Sequence, residues 1–262
     1  MDYQIEGKLA LISGSTKGIG FAIASGLARE GAQVIVNGRT EASVAAALDR
    51  LKTAVPNAKA VGFAGDLADP AQVAALVKRH PDVDILVNNL GIFDPKPFES
   101  IPDEEWQQFF DVNVMSGVRL SRAYLPGMKQ RNWGRVVFIS SESGIQIPVE
   151  MIHYGMTKTA QLAISRGLAE SCAGTGVTVN AVLPGPTSSE GVNEFVEKLS
   201  GGQSLHDFEV KFFQEARPSS LLKRFTTPDE VANLVTYVCS GLSSATTGAA
   251  LRVDGGVVRT LV

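Results

Sequence analysis

Residues 8–20 read KLALISGSTKGIG, and this stretch decides the fold class. Its first half, up to Ser13, is an apolar run of strand length, and a helical pattern begins at Gly18. Glycines in such a turn let the backbone approach a phosphate closely, and the following helix N-terminus attracts anions. The loop Gly14-Ser15-Thr16-Lys17-Gly18-Ile19-Gly20 is therefore a candidate dinucleotide-binding turn.

The rest of the chain alternates apolar runs of strand length with amphipathic stretches of helix length. The predicted strands are 8–13, 33–37, 59–65, 84–88, 134–140, 177–183 and 249–253. The predicted helices are 18–30, 41–54, 70–80, 102–130, 151–173 and 228–239, with an interrupted one over 191–213. This alternation predicts an α/β fold, a Rossmann-type doubly wound parallel sheet of about seven strands with helices on both faces. Without a visible linker, one domain spanning 1–262 is expected.

The composition excludes several classes of protein. The 262 residues carry a net charge of −3, and the absence of a long basic run argues against a nucleic-acid partner. The N-terminus does not resemble a signal peptide, and the apolar stretches fall short of the roughly 18 residues that span a membrane. The two cysteines, Cys172 and Cys239, suggest a cytoplasmic protein rather than a disulfide framework. Scattered histidines give no metal site.

A tyrosine and a lysine four residues apart, Tyr154 and Lys158, are candidates for acid–base chemistry. Positions i and i+4 share one face of a helix, and an ammonium beside a phenol favours the phenolate. Tyr154 is therefore a candidate general acid and base. Ser141, at the end of an apolar run, supplies a hydroxyl that can hold a carbonyl oxygen.

Six landmarks occur in the order and spacing typical of one enzyme family. They are Gly14/Gly18/Gly20, Asp66-Leu67, Asn88-Asn89-Leu90-Gly91, Asn113, Ser141/Tyr154/Lys158, and Pro184-Gly185. The sequence thus resembles the short-chain dehydrogenase/reductase family, in its 3-oxoacyl-carrier-protein-reductase-like branch, from Lys8 to Gly256. It departs from the usual pattern mildly, at Ser13, Leu90 and Ser189.

The resemblance implies hydride transfer between NADP(H) and a carbonyl or secondary alcohol. It assigns catalysis to Tyr154 as acid and base, Lys158 as its modulator and ribose ligand, Ser141 as holder of the substrate oxygen, and Asn113 as part of a proton relay. The cofactor-binding residues it implies are Gly14, Ser15, Thr16, Lys17, Gly18, Ile19, Gly20, Arg39, Asp66, Leu67, Asn88, Gly91, Tyr154, Lys158, Pro184, Gly185, Thr187 and Ser189.

The second strand indicates which dinucleotide is used. In such folds an acid at its end accepts hydrogen bonds from the adenosine ribose and repels a 2′-phosphate. Here Gly38 takes that position, Arg39 follows it, and Lys17 lies in the glycine loop. Guanidinium and ammonium groups suit a phosphate, which favours NADP(H) over NAD(H). Asp66 is expected to contact the adenine, and Asp69 to cap the next helix.

The substrate pocket is expected to be formed by several separate segments of the chain. A substrate-covering segment is expected at about 186–217, with Ile92, Phe93, residues 145–147 and Met151 as further wall candidates. Because most of these candidate wall residues are apolar, they favour a hydrophobic or cyclic carbonyl compound as substrate. Glu142 is expected at a capping or surface position, with substrate contact as the alternative, and His153 is expected to pack.

Two alternative functions stay open at this point. One is an NAD-dependent sugar or secondary-alcohol dehydrogenase, and the other is a non-catalytic dinucleotide-binding regulatory protein. The resemblance also implies a homotetramer or homodimer that binds a small-molecule substrate.

Overall fold

The computed structural model describes residues 2–188 and 204–261. Within them the strands form one parallel seven-stranded sheet in the order β3-β2-β1-β4-β5-β6-β7. The strands are β1 (Leu9–Ile12), β2 (Gln33–Gly38), β3 (Ala60–Ala64), β4 (Ile85–Asn88), β5 (Gly134–Ile139), β6 (Val177–Pro184) and β7 (Ala250–Val253). The predicted doubly wound sheet is confirmed.

Helices follow the strands in alternation. They are α1 (Gly18–Arg29), α2 (Glu41–Ala54), α3 (Pro70–Arg79), α4 (Asp103–Phe110), α5 (Ser116–Gln130), α6 (Ile152–Ser171), α7 (Leu205–Glu215) and α8 (Pro228–Val238). The interrupted helix expected over 191–213 is described only from Leu205 onward, since residues 189–203 lie outside the described part of the chain.

Two apolar layers form because neighbouring strand residues point to opposite faces of the sheet. In β1, Ala10 and Ile12 pack into the layer that includes α1 and α8, whereas Leu11 packs into the layer that includes α3 and α5. Strands covered on both faces must be apolar throughout, which explains their continuous Val, Ile and Leu runs. The topology brings the carboxyl ends of all strands to one edge.

The long helix predicted over 102–130 is interrupted. Residues Asp111–Met115 form a π-helical turn between α4 and α5, and Asn113 lies buried within it. A π turn shifts the backbone hydrogen-bond register, and such turns occur often at functional sites. No helix in residues 2–188 or 204–261 is long and apolar enough to cross a membrane.

Helix α8 begins with the capping box that its sequence predicts. Thr227 Oγ1 accepts a hydrogen bond from Glu230 N at 3.2 Å, and Thr227 N donates to Glu230 Oε2 at 2.8 Å. This cap matters for the whole fold because α8 packs extensively on α1.

We expect Thr227→Ala to lower the free energy of unfolding by about 1 kcal/mol, because the N–H of Glu230 loses its partner. Urea denaturation measures this change. As control, Thr53→Ala removes an exposed hydroxyl inside α2 and should shift the unfolding free energy by less than about 0.5 kcal/mol. Equal losses for the two variants would contradict the capping role.

Candidate active site

The glycine loop has the backbone conformation that its sequence predicts. Gly14 and Gly18 adopt φ angles of 61° and 58°, in the left-handed region that favours glycine. A Cβ on Gly20 would lie 2.4 Å from the carbonyl oxygen of Gly14. The first turn of α1 therefore packs on the loop backbone with no room for a side chain, which is the close approach that a phosphate cradle requires.

Asn37, to which the sequence analysis gave no role, holds this loop in place. Its Oδ1 accepts from Gly14 N at 2.9 Å, and its Nδ2 donates to the carbonyls of Phe63 and Gly65 at 3.1 Å each. The sequence signal for this role was the presence of a polar residue in an otherwise apolar strand. From the other side, Asn89 Nδ2 donates to the carbonyls of Ser13 and Gly14.

The adenosine end of the site carries the expected charges. Lys17 and Arg39 are exposed on adjacent loops at the carboxyl ends of β1 and β2. An acid at position 38 would require the Thr16 side chain to move, because a Cβ there would lie 2.4 Å from Thr16 Cγ2. A further cation that the sequence analysis missed, Arg50 of α2, reaches the loop and donates to the Thr16 carbonyl. Cations at these positions and glycine in place of an acid at position 38 favour a phosphate-bearing ribose.

The two acids in the loop after β3 make different contacts. Asp69 caps α3 by accepting from Ala71 N at 2.8 Å. Asp66 is exposed at the same edge of the sheet as the glycine loop, with Oδ1 accepting from Ala68 N, and Leu67 is buried beside it. Asp66 is thus placed for the adenine contact that the resemblance implies.

A cavity of about 500 Å³ opens where β4, β5 and β6 end. It brings together most of the predicted inner site, namely Ile19, Gly91, Ser141, Tyr154, Lys158, Pro184, Gly185 and Thr187. Asn88 lies outside the lining: it is buried and donates to Ser121 Oγ, while its neighbour Asn89 lines the cavity. Ser189 lies outside the described residues.

Lys158 is buried behind Tyr154, near the bottom of this cavity. Its Nζ donates to the carbonyl of Ile139 at 2.9 Å and to Gln161 Oε1 at 3.3 Å, and lies 5.5 Å from the centre of the Tyr154 ring. Burial lowers the pKa of Lys158 to about 7. Burial therefore makes the charged form of Lys158 less favourable than it is in water.

The environment of Tyr154 differs from the sequence expectation. Burial raises the pKa of Tyr154 above its ordinary value, a hydrogen bond with Ser141 and the charge of Arg217 oppose that rise, and Glu142 adds to it. The expected lowering by Lys158 is not found, because burial disfavours the ammonium form of Lys158 and its Nζ lies 5.5 Å from the centre of the Tyr154 ring. In this structure the phenol form of Tyr154, a proton donor, is favoured.

Asn113 links the loop after β4 to α6. Its Oδ1 accepts from Ile92 N at 2.7 Å, and its Nδ2 donates to Ile92 O and Thr157 Oγ1, both at 3.0 Å. The π turn leaves its backbone carbonyl available to Gln161 Nε2. Gln161, which the sequence analysis missed, thus joins Asn113 to Lys158; its position three residues after Lys158 on one helix face was the only signal.

Glu142 was expected at a capping or surface position, and that expectation is wrong. It is buried in the cavity wall, where Oε1 accepts from Arg217 Nε at 2.8 Å. Arg217 Nη1 also donates to Glu150 Oε1 at 3.0 Å. Arg217 follows α7, and its side chain brings the end of the substrate-covering segment onto the turn after Ser141.

His153 packs as predicted. It is fully buried, with its ring 4.0 Å from that of Phe109 and its Nε2 3.4 Å from Glu105 Oε1. Burial lowers the pKa of His153, which keeps the imidazole neutral at pH 7.

The outer wall of the cavity is largely aromatic. Of the predicted wall residues, Ile92, Phe93, Met151, Phe208 and Phe212 line it, whereas residues 145–147 do not and Phe213 is buried in the core. Phe93 meets Tyr154 edge to face, with ring centres 6.4 Å apart. Phe225, which the sequence analysis did not single out, completes the wall. No cluster of metal-ligating residues occurs in the described part of the chain.

Comparisons with known proteins match this geometry. The family profile described as enoyl-(acyl carrier protein) reductase matches residues 14–258. The oxidoreductase YvaG of Bacillus subtilis is 51% identical over all of both chains. The 3-oxoacyl-[acyl-carrier-protein] reductase FabG of Aquifex aeolicus is 32% identical, over 98% of this chain and all of its own.

The chain belongs to the short-chain dehydrogenase/reductase family. Among solved structures, L-sorbose reductase from Gluconobacter frateurii, complexed with NADPH and L-sorbose, superposes with a TM-score of 0.93 at 32% identity over all of both chains. The protein is therefore an oxidoreductase of this family, one that interconverts carbonyls and alcohols by hydride transfer. The resemblance predicted from the six landmarks is confirmed.

Asn37→Ala should lower the free energy of unfolding by about 3 kcal/mol, because one buried N–H and two buried carbonyls lose their partner. Chemical denaturation measures it. Asn57→Ala, at an exposed turn, is the control, with an expected change below about 0.5 kcal/mol. If Asn37→Ala were as stable as the control, Asn37 would not anchor the glycine loop.

Proposed function

We propose that the protein is an NADP(H)-dependent reductase of a carbonyl compound to a secondary alcohol, or the reverse dehydrogenase, with 1–262 as a single catalytic domain. The observation that carries this proposal is the convergence of Ser141, Tyr154 and buried Lys158 in one cavity beside the glycine loop. Two hydroxyls and an ammonium at the ends of parallel strands are suited to hold and protonate a carbonyl oxygen.

Each catalytic residue has a defined task in this proposal. Ser141 holds the substrate oxygen, and Tyr154 donates its proton to that oxygen in reduction or removes it in oxidation. The bound cofactor supplies or accepts the hydride at its nicotinamide ring. Lys158 binds ribose hydroxyls, and Gln161 holds the lysine in place because it accepts from Lys158 Nζ and donates to the carbonyl of Asn113.

The raised pKa of Tyr154 is consistent with the reductive direction. Reduction needs the protonated phenol and oxidation needs the phenolate, and burial favours the phenol form of Tyr154. The positive charge of an oxidised nicotinamide would favour that phenolate once the cofactor is bound. The pH at which reductive activity declines should therefore lie above the pH at which oxidative activity sets in.

The cofactor site proposed here is the one implied by the resemblance, with Lys17 and Arg39 at the 2′-phosphate. The steric conflict of any side chain at position 38 with Thr16 disfavours an NAD-type acid there. The NADPH bound by the L-sorbose reductase relative supports the same preference. An NAD-dependent sugar or secondary-alcohol dehydrogenase is the second candidate, favoured only by the exposure of both cations.

The aromatic and aliphatic wall favours a substrate with an apolar or cyclic body next to its carbonyl. A suitable panel contains a 3-oxobutanoyl thioester, L-sorbose, cyclohexanone and the corresponding alcohols, which covers the chemistry named for the relatives. A strong preference for a small, highly charged carbonyl compound would contradict this expectation.

We also propose a cytoplasmic homotetramer or homodimer. Both cysteines are buried and free, which suits a reducing compartment. An exposed Leu221 and Leu222 near the last strand support an association surface, which light scattering of the purified protein tests.

Tyr154→Phe should lower kcat by about 100- to 10,000-fold with the best carbonyl of the panel, because it removes the proton donor. NADPH affinity, measured by fluorescence titration, should stay close to wild type. Tyr237→Phe, on the exposed side of α8, is the control and should keep full activity. Near-wild-type turnover by Tyr154→Phe would refute the acid–base assignment and favour a non-catalytic dinucleotide-binding role.

The double variant Lys17→Ala/Arg39→Ala should weaken NADPH binding by at least about tenfold, because charge-assisted hydrogen bonds to the 2′-phosphate are lost. NADH binding should change little. Lys52→Ala, an exposed cation on α2, serves as control. Parallel loss of NADPH and NADH affinity, or loss of neither, would show that the two cations do not select the phosphate.

A further inference from the structure

A buried ion pair in the cavity wall has no role in the chemistry above. Glu142 directly follows Ser141, and Arg217 follows α7, 75 residues later in the chain. Their side chains are 4% and 8% exposed, and Nε and Oε1 are 2.8 Å apart. Because burying charges is costly unless they are paired with good geometry, such a pair is a specific feature of the site.

Arg217 is fixed from several directions. Its backbone N–H donates to Phe212 O at 3.1 Å, and Nη1 donates to Glu150 Oε1 and to Ala216 O. The guanidinium also lies 5.8 Å from the centre of the Phe212 ring. The charge therefore has a set position at the end of the segment that covers the cavity, and it does not extend freely into solvent.

Glu142 connects this charge to the hydroxyls of the site. Its Oε2 accepts a hydrogen bond from Ser143 Oγ and lies 3.5 Å from Ser141 Oγ. Ser141 Oγ in turn accepts from Ser143 N at 3.1 Å. The Ser141 hydroxyl is hydrogen-bonded to Tyr154, so the carboxylate of Glu142 lines the same cavity as the phenol and is one residue from its partner, with Arg217 as the compensating charge.

We propose that Glu142 and Arg217 are positioning residues whose opposite charges jointly set the electrostatic environment of Tyr154 and thereby tune its proton transfer. The proposal rests on the proposed function and extends it. Glu142 opposes the phenolate and Arg217 favours it, in agreement with their opposite effects on the pKa of Tyr154.

The charged groups around Tyr154 come from four elements. Lys158 lies on the same helix, Glu142 on the turn after β5, Glu150 on the short turn before α6, and Arg217 after α7. Phe93 provides an apolar contact on the remaining side of the ring. Removal of the Glu142 carboxylate leaves Arg217 with one carboxylate partner, Glu150. Removal of the Arg217 guanidinium leaves both Glu142 and Glu150 without this cationic partner.

The test measures kcat/KM for oxidation against pH, with NADP⁺ and the alcohol that the panel identifies. Glu142→Gln should move the rising limb of this pH profile to lower pH by about 0.5 to 1 unit, because the Tyr154 phenolate loses a negatively charged neighbour. Arg217→Met should move it to higher pH by a similar amount. The double variant should return the limb toward wild type.

The control is Arg224→Met, which breaks an exposed ion pair with Glu230 and should leave the pH profile unchanged. Glu142→Gln is isosteric, so it and the double variant carry the test if Arg217→Met does not fold. A drop in kcat in every pair variant with the limb unmoved, or moved in one common direction, would show a purely structural role and overturn the proposal.

A second readout separates this proposal from the proposed function. Ultraviolet difference titration, with Tyr154→Phe as reference, follows the Tyr154 phenolate in the NADP⁺-bound protein without any turnover. Opposite shifts of that titration in the two single variants support the charge coupling even if no substrate of the panel reacts. Turnover with an unshifted titration supports the enzyme and refutes the coupling.

Discussion

A buried ammonium governs the arrangement of this active site. Lys158 Nζ is held by the carbonyl of Ile139, at the end of β5, and by Gln161 on its own helix. A buried charge must be satisfied by hydrogen bonds, so the bond to Ile139 fixes how far α6 reaches across the strand ends. Tyr154, one turn earlier on the same face, is thereby placed beside Ser141, which follows the same strand two residues later. The buried position of Lys158 therefore determines where Tyr154 and Ser141 meet.

The cofactor half of the site depends on a second constraint, the fixed backbone of the glycine loop. Asn37 from β2 and Asn89 from the loop after β4 bond the loop from both sides. Two neighbouring strands thus support the turn of the strand between them. Asn113 connects this half to α6 through Ile92 and Thr157, so the two halves of the site form one hydrogen-bonded unit.

Local patterns in the sequence predicted the fold and most of the site. Short-range spacing predicts the strands, the glycine loop, the helix caps at Asp69 and Thr227, and the helix face shared by Tyr154 and Lys158. The structure agrees with each of these predictions. Contacts between distant residues could not be predicted in this way. Glu142 and Arg217 are each unremarkable in their own segment, and only the topology brings them together.

The pKa of Tyr154 shows the same limit. The spacing of Tyr154 and Lys158 predicts a shared face, but whether the lysine acts on the phenol as a charge depends on how deeply the lysine is buried. Similarly, the resemblance implied Asn88 as the amide that faces the cofactor, but the run Asn88-Asn89 alone does not decide which amide lines the cavity. The alternation of side chains at the end of β4 decides it, with Asn88 turned toward Ser121 and Asn89 toward the glycine loop.

The central claim is that this cavity transfers a hydride to a carbonyl carbon. The most direct measurement incubates the protein with NADPH that carries deuterium at both C4 positions and with the ketones of the panel, and analyses the products by mass spectrometry. The account predicts an alcohol that carries one deuterium on the former carbonyl carbon, formed in step with NADP⁺. Tight NADPH binding without deuterium in any alcohol product would contradict it.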